Sequence, residues 1–161
     1  IVNGATDGGK MVMGITVLLV AVIGILGIFN LCLSYFTDIT IAKCLGFIFK
    51  PIAFLMGVAP QDTSMVGEFL GTRLIMTEVP SYVGLSEAIK AGAISAHSAI
   101  IASYALCGFT SIESLSIAVG GAVALAPEKT ELITSVCYKS LLAATIATMI
   151  TGTVAGLFYI G

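Results

Sequence analysis

Charge is scarce in this sequence. Nine acidic and seven basic residues are spread over 161 positions, whereas about a quarter of a soluble domain is charged. Hydrophobic residues make up 58% of the chain and the mean hydropathy is +1.10, a composition that points to a membrane protein. There is no basic surplus either, because the net charge is -2; nucleic-acid binding is excluded on that ground. The 18 glycines follow no Gly-X-Y period, which excludes collagen, and the hydrophobicity excludes disorder. No CxxC pair occurs: Cys32, Cys44, Cys107 and Cys137 are 12, 63 and 30 residues apart, read as small apolar fillers within helices, and suggest neither a disulfide framework nor a metal site. His97 is the single histidine, and HExxH, GxSxG and P-loop motifs are missing, so enzyme chemistry is poorly supported. The chain begins Ile-Val-Asn without a signal-peptide layout and is expected to be a piece of a longer polypeptide.

What is present is a set of long apolar runs. Residues 11–36 carry no charge and as a helix would extend about 39 Å, enough to cross a ~30 Å hydrocarbon core with tilt. A polar, glycine-rich leader ending at Lys10 precedes this run, and Asp38 follows it. Residues 38–60 carry Asp38, Lys43 and Lys50 and are expected to break at Pro51 and Pro60, so they read as an interfacial amphipathic helix and an apolar descent. Residues 61–90 offer two short arms, 64–77 and 81–90, separated by a break at Pro80. Neither arm is long enough to span, and either a solvent loop or a re-entrant hairpin fits. Residues 98–126 form a second span and 132–160 a third, joined by the turn Ala126-Pro127-Glu128-Lys129. Small residues Gly152, Ala155 and Gly156 give the last span a face for close helix packing.

Two polar clusters stand out in the apolar background: Thr77-Glu78-Val79-Pro80-Ser81-Tyr82 and Phe109-Thr110-Ser111-Ile112-Glu113-Ser114. A carboxylate at bilayer depth is costly unless it faces protein or a water-filled cavity, so it marks a functional site by default. Gly108 would ease an unwinding of the helix there, freeing backbone groups to line a polar pocket. Serines and threonines bonding back to carbonyls one turn earlier fit the second cluster equally well. His97, at the mouth of the span, reads as an interfacial hydrogen-bonding residue.

At these clusters the sequence resembles the concentrative nucleoside transporters, in the C-terminal part of their core. The run Phe49-Lys50-Pro51-Ile52-Ala53-Phe54-Leu55-Met56-Gly57-Val58-Ala59-Pro60 is similar to the family's stretch before its second re-entrant hairpin. Gly71-Thr72-Arg73-Leu74-Ile75-Met76-Thr77-Glu78-Val79-Pro80-Ser81-Tyr82 resembles the hairpin motif G-x-K-x-x-x-NEFVAY. Tyr104-Ala105-Leu106-Cys107-Gly108-Phe109-Thr110-Ser111-Ile112-Glu113-Ser114 resembles YALCGFAN-x-x-S.

The resemblance implies an all-α integral membrane fold with transmembrane helices, a re-entrant helical hairpin and a discontinuous helix, together half of an inverted-repeat transporter. It divides the chain into a leader and long scaffold helix (1–37), an interfacial helix and re-entrant hairpin (38–92), a discontinuous helix (93–126), and a cytoplasmic turn with a C-terminal span (127–161). It further implies a homotrimeric nucleoside symporter of the plasma membrane, or the inner membrane of a bacterium. Such a protein is driven by Na+ or H+ and moves its transport domain like an elevator through the lipid bilayer. Glu78 would bind ribose, Ser114 would contact the sugar, and Phe109 would pack beside the nucleoside. Ser111 and Thr77 stand where the family has asparagines. A hydroxyl has shorter reach than an amide, and a ribose hydroxyl without a partner costs about 1–3 kcal/mol unless water bridges. The nucleobase contacts and the ion site belong to the N-terminal half of the transporter, to which nothing in these residues corresponds. No resident metal or cofactor is implied, and the chain alone is expected to be inactive.

Glu113 departs from the small residue usual in the family. Were it buried near Glu78, the two would repel and one pKa would be raised, giving a proton-sensitive pair; facing headgroups or water, which is the preferred reading, it would matter little. A divergent non-transporting membrane module, or a transporter of another small polar solute, is the alternative function.

Overall fold

Helices account for nearly all of the chain in the computed structural model, which describes residues 2–36 and 41–160. There are no strands among the described residues. In chain order the helices are α1 (Val2–Phe36), α2 (Ile41–Leu55), α3 (Thr63–Ile75), α4 (Glu78–Lys90), α5 (Ala96–Leu106), α6 (Ile112–Leu125) and α7 (Thr130–Leu157), with a 3-10 turn at Pro127–Lys129 before α7. Pro127–Leu157 is 31 residues long and apolar enough to cross a membrane, and Ala96–Leu106 and Ile112–Val123 are shorter apolar helices. The junction around Asp38, which the sequence places at an interface, lies outside the described residues.

Helix ends differ from sequence expectation in three places. The polar leader is not a separate lead-in: α1 begins at Val2 and continues through Lys10 into the apolar run. Pro51 does not end α2, which continues to Leu55. A proline inside a helix removes one hydrogen bond and costs about 3 kcal/mol, here offset by burial of Phe49, Ala53 and Met56 around it. Pro80 does not separate the two arms either. The turn comes earlier, at Met76–Thr77, and Pro80 falls in the first turn of α4, where a missing N–H leaves no intrahelical bond unmade.

The core is built from α2, α3, α4 and α5, around Phe49, Ala53, Val66, Leu70, Leu85, Ile101, Ala102 and Leu106. Small residues let these helices approach closely. A Cβ on Gly67 would stand 2.7 Å from the carbonyl oxygen of Gly46, so α2 and α3 touch along their backbones. The short α3 and α4 double back on one another: Gly84 faces the ring of Phe69, and the Ser81 hydroxyl donates to the Phe69 carbonyl at 2.9 Å. α7 lies against α5 through Gly152 and Gly156, while Leu142, Ile146 and Ile150 on its other side remain exposed. α6 packs on α1, with Gly121 against the Met11 methyl.

Candidate functional site

Two breaks in helical structure meet between α3, α4, α5 and α6. One is the turn Met76–Thr77 between α3 and α4; the other is the non-helical stretch 107–111 between α5 and α6. Tyr82 of α4 donates to the Ser103 carbonyl of α5 at 2.8 Å and ties the two pairs together. Gly108 is required in the second break by crowding. A Cβ there would lie 2.6 Å from the Thr148 methyl and 3.2 Å from an Arg73 nitrogen.

Arg73 dominates this junction. It is 2% exposed, and its Nη1 donates to the carbonyl of Ala105 at 2.7 Å and to the Thr148 hydroxyl at 3.2 Å, while Nη2 donates to the carbonyl of Gly108 at 3.3 Å. Its Nε has no partner. Its ionisable neighbours are Tyr82, Glu78 and Cys107, but among the described residues it forms no ion pair. The sequence gives Arg73 only as a position in the hairpin motif; its role depends on carbonyls more than thirty residues away and has no local signal.

The five residues singled out from sequence are brought to these two breaks, with unequal access. Glu78 opens α4 and is partly buried; Thr77, the residue before it, is partly buried and its side chain makes no cap bond. Phe109 is 59% exposed. Ser111 and Ser114 are buried and engaged with each other. Ser111 caps α6 by accepting from the Ser114 N–H at 3.0 Å, and its hydroxyl donates to that of Ser114 at 2.7 Å. A serine at this position is among the favoured caps, which supplies a structural reason for its presence.

Glu113 does not face headgroups or water, as preferred from sequence; it is 2% exposed. It sits in the first turn of α6, with the Thr77 backbone and Glu78 as neighbours across the junction. The reason is apposition. The two breaks carry their carboxylates toward one another from elements far apart in sequence. Cys107 is likewise no helix filler, since it lies exposed in the break; all four cysteines are free thiols.

Away from the breaks, Asp62 joins the start of α3 to the start of α5. Its carboxylate accepts from the Ser95 N–H at 3.1 Å and the Ser95 hydroxyl at 2.7 Å, and the Ser98 hydroxyl accepts from the Ala59 N–H. Burial pushes the Asp62 carboxyl up, but the bonds from Ser95 and Ser98 outweigh it and hold the group below the usual carboxylate range. His97 Nε2 lies 3.1 Å from the Gly156 carbonyl, with its ring tilted against Tyr159. No group of three or more His, Cys, Asp or Glu able to hold a metal ion occurs among the described residues.

Comparison with known proteins accounts for this architecture. The human protein "Solute carrier family 28 member 3" is 35% identical over 174 residues, covering 96% of this chain and 25% of that protein. The mouse "Sodium/nucleoside cotransporter 1" is 31% identical over 176 residues, covering 98% of this chain and 27% of its own length. Among solved structures, a doubly substituted CNTnw in an outward-facing state superposes with a TM-score of 0.86 at 26% identity, covering 98% of this chain and 41% of that one. This chain therefore spans between about a quarter and two fifths of the length of these relatives. The family profile described as "Na+ dependent nucleoside transporter C-terminus" matches residues 1–156, and the chain belongs to that family.

Proposed function

We propose that this chain is the C-terminal half of a cation-coupled nucleoside symporter and supplies the sugar-binding side of its site. The observation that supports the reading is the meeting of the two breaks, with Thr77 and Glu78 at one and Phe109, Ser111 and Ser114 at the other. A carboxylate can accept from two neighbouring ribose hydroxyls at once, and each such charge-assisted bond contributes roughly 1.5–3 kcal/mol. Glu78 has that role. The Thr77 hydroxyl, unused as a cap, is available to the sugar, and exposed Phe109 offers a flat apolar face to the nucleoside. Ser114 has its own hydroxyl proton left to donate after accepting from Ser111.

In this reading α3 and α4 are the arms of a re-entrant hairpin (within 38–92), α5 and α6 a discontinuous helix (93–126), α1 the scaffold span (1–37) and α7 the C-terminal span (127–161). The protein is multi-pass in the plasma membrane. The rest of the inverted repeat, the nucleobase contacts and the site of the co-transported Na+ or H+ come from the N-terminal half, and three copies assemble around a fixed scaffold while the transport domain moves as an elevator. The names of the relatives support sodium and nucleoside as substrates. The short helices with polar breaks suit a membrane transporter, since irregular backbone at that depth is tolerated where it lines a cavity.

The test is uptake of radiolabelled uridine and adenosine by vesicles carrying the full-length protein, with and without sodium, and with Glu78→Gln as the control. Sodium- or proton-dependent uptake lost in the variant supports the reading, and uptake indifferent to the change removes Glu78 from the site. A second reading, a non-transporting module or a carrier of another small polar solute, is favoured by one observation: Ser111 and Ser114 are buried and bonded to each other. Absence of any nucleoside uptake in every gradient would select it.

A further inference from the structure

We infer that Arg73 is a clasp that locks the end of α3, and with it the Met76–Thr77 turn, against the 107–111 break, making it a positioning residue for the groups assigned above to the sugar; the positioning role rests on that assignment. Every α-helix leaves its last carbonyls and first N–H groups without internal partners, with partial negative charge at the one end and positive at the other. Arg73, in the last turn of α3, reaches across to the C-terminal end of α5 and takes the Ala105 and Gly108 carbonyls. Glu113, in the first turn of α6, is buried at the same junction, with the Thr77 backbone and Glu78 as neighbours. The cation thus meets the negative end of α5.

The arrangement is rigid for a physical reason. A guanidinium presents its donors in a fixed planar fork, so the Ala105 carbonyl, the Gly108 carbonyl and the Thr148 hydroxyl fix one another's positions through it. Three elements, α3, the α5 end with its break, and α7, therefore meet on one side chain. That side chain is 2% exposed, so a carbonyl that moved away would leave a buried charge with no water to replace it. Gly108 leaves room for the fork, since a Cβ there would sit 3.2 Å from its nitrogen. Thr77 and Glu78 follow the helix end that Arg73 anchors, and Ser111 closes the break that it holds. Holding the two breaks together sets the separation of the proposed sugar ligands.

The test is amide hydrogen exchange on the full-length protein in detergent, comparing Arg73→Gln, Arg73→Lys and Thr148→Val with the unsubstituted chain. Arg73→Gln should speed exchange about tenfold or more in both 74–80 and 106–114, since local opening free energies govern protection, and leave 56–64 unchanged. Arg73→Lys, which keeps a buried cation but lacks the planar fork, should restore only part of the protection. Thr148→Val, which removes one buttress and no charge, should speed exchange at 106–110 to a smaller degree. Unchanged exchange at both breaks in Arg73→Gln overturns the clasp; should that variant fail to fold, unchanged exchange in Thr148→Val overturns it. Uridine binding by Glu78→Gln is measured alongside. Faster exchange with uridine binding indifferent to Glu78→Gln leaves the clasp standing and removes the sugar assignment, whereas unchanged exchange with binding lost in Glu78→Gln does the reverse.

Discussion

A Cβ placed on Gly152 would stand 2.8 Å from the carbonyl oxygen of Ile101 and 2.9 Å from the Cβ of Ala105, so α7 and α5 meet backbone against backbone. Gly156 repeats the contact one turn later against the Ile101 side chain. This packing also seats Thr148 of α7 beside the Gly108 break.

Gly152→Leu should force the two helices apart, because the obstructing atoms include backbone that cannot rotate away. Overpacking of this kind costs typically about 1–3 kcal/mol, and thermal unfolding of the purified full-length protein should shift down accordingly. Gly24→Ala is the contrast. Nothing lies within 4 Å of a Cβ there, and alanine is the better helix former by up to about 1 kcal/mol, so its melting temperature should be unchanged or raised. Equal behaviour of the two variants would contradict the close packing.

Asp62 predicts a pH effect with a definite sign. Because its folded pKa is depressed by the Ser95 and Ser98 bonds, its contribution is complete above the unfolded value of about 3.9 and fades as pH falls through the lower folded value. Asp62→Asn keeps an acceptor for the Ser95 N–H but loses the charge, at an expected cost of about 1–2 kcal/mol near neutrality. The difference in melting temperature between the two proteins should therefore narrow on acidification below about pH 4. A gap that widens in acid would mean that the carboxylate is not held in its charged form.

Much of this arrangement is readable from sequence, and what is not has identifiable causes. Uncharged runs and punctuation by glycine and proline indicate the helical class, because backbone groups in an apolar setting have few other ways to be satisfied. Prolines misled on boundaries. Whether Pro51 breaks a helix depends on burial around it, and whether Pro80 does depends on where Thr77 starts the helix. The leader reads as a flank because Gly4, Gly8 and Gly9 are poor helix formers, yet α1 runs through them. Tertiary contacts were further from reach. That Glu113 is buried, and that Arg73 spans to Ala105, follows from the apposition of two breaks, which no local pattern encodes.

The Ser111 cap yields the sharpest prediction about affinity. Its hydroxyl is committed to the Ser114 N–H and hydroxyl, so it offers a ligand little beyond one remaining lone pair. Asparagine is at least as good a helix cap as serine, and its amide carries two donors in addition to the accepting oxygen. Ser111→Asn should therefore keep α6 intact while its NH2 reaches toward a sugar hydroxyl. One added neutral hydrogen bond is worth about 0.5–1.5 kcal/mol, which lowers the Kd for uridine by a few-fold up to about tenfold. Ser111→Ala should do the opposite, losing the cap at about 1 kcal/mol of stability and releasing Ser114 to move. Calorimetric titration of uridine into the three full-length proteins, with melting temperatures measured on the same samples, separates these effects. Weaker binding by Ser111→Asn at unchanged stability would place the sugar elsewhere than beside this cap.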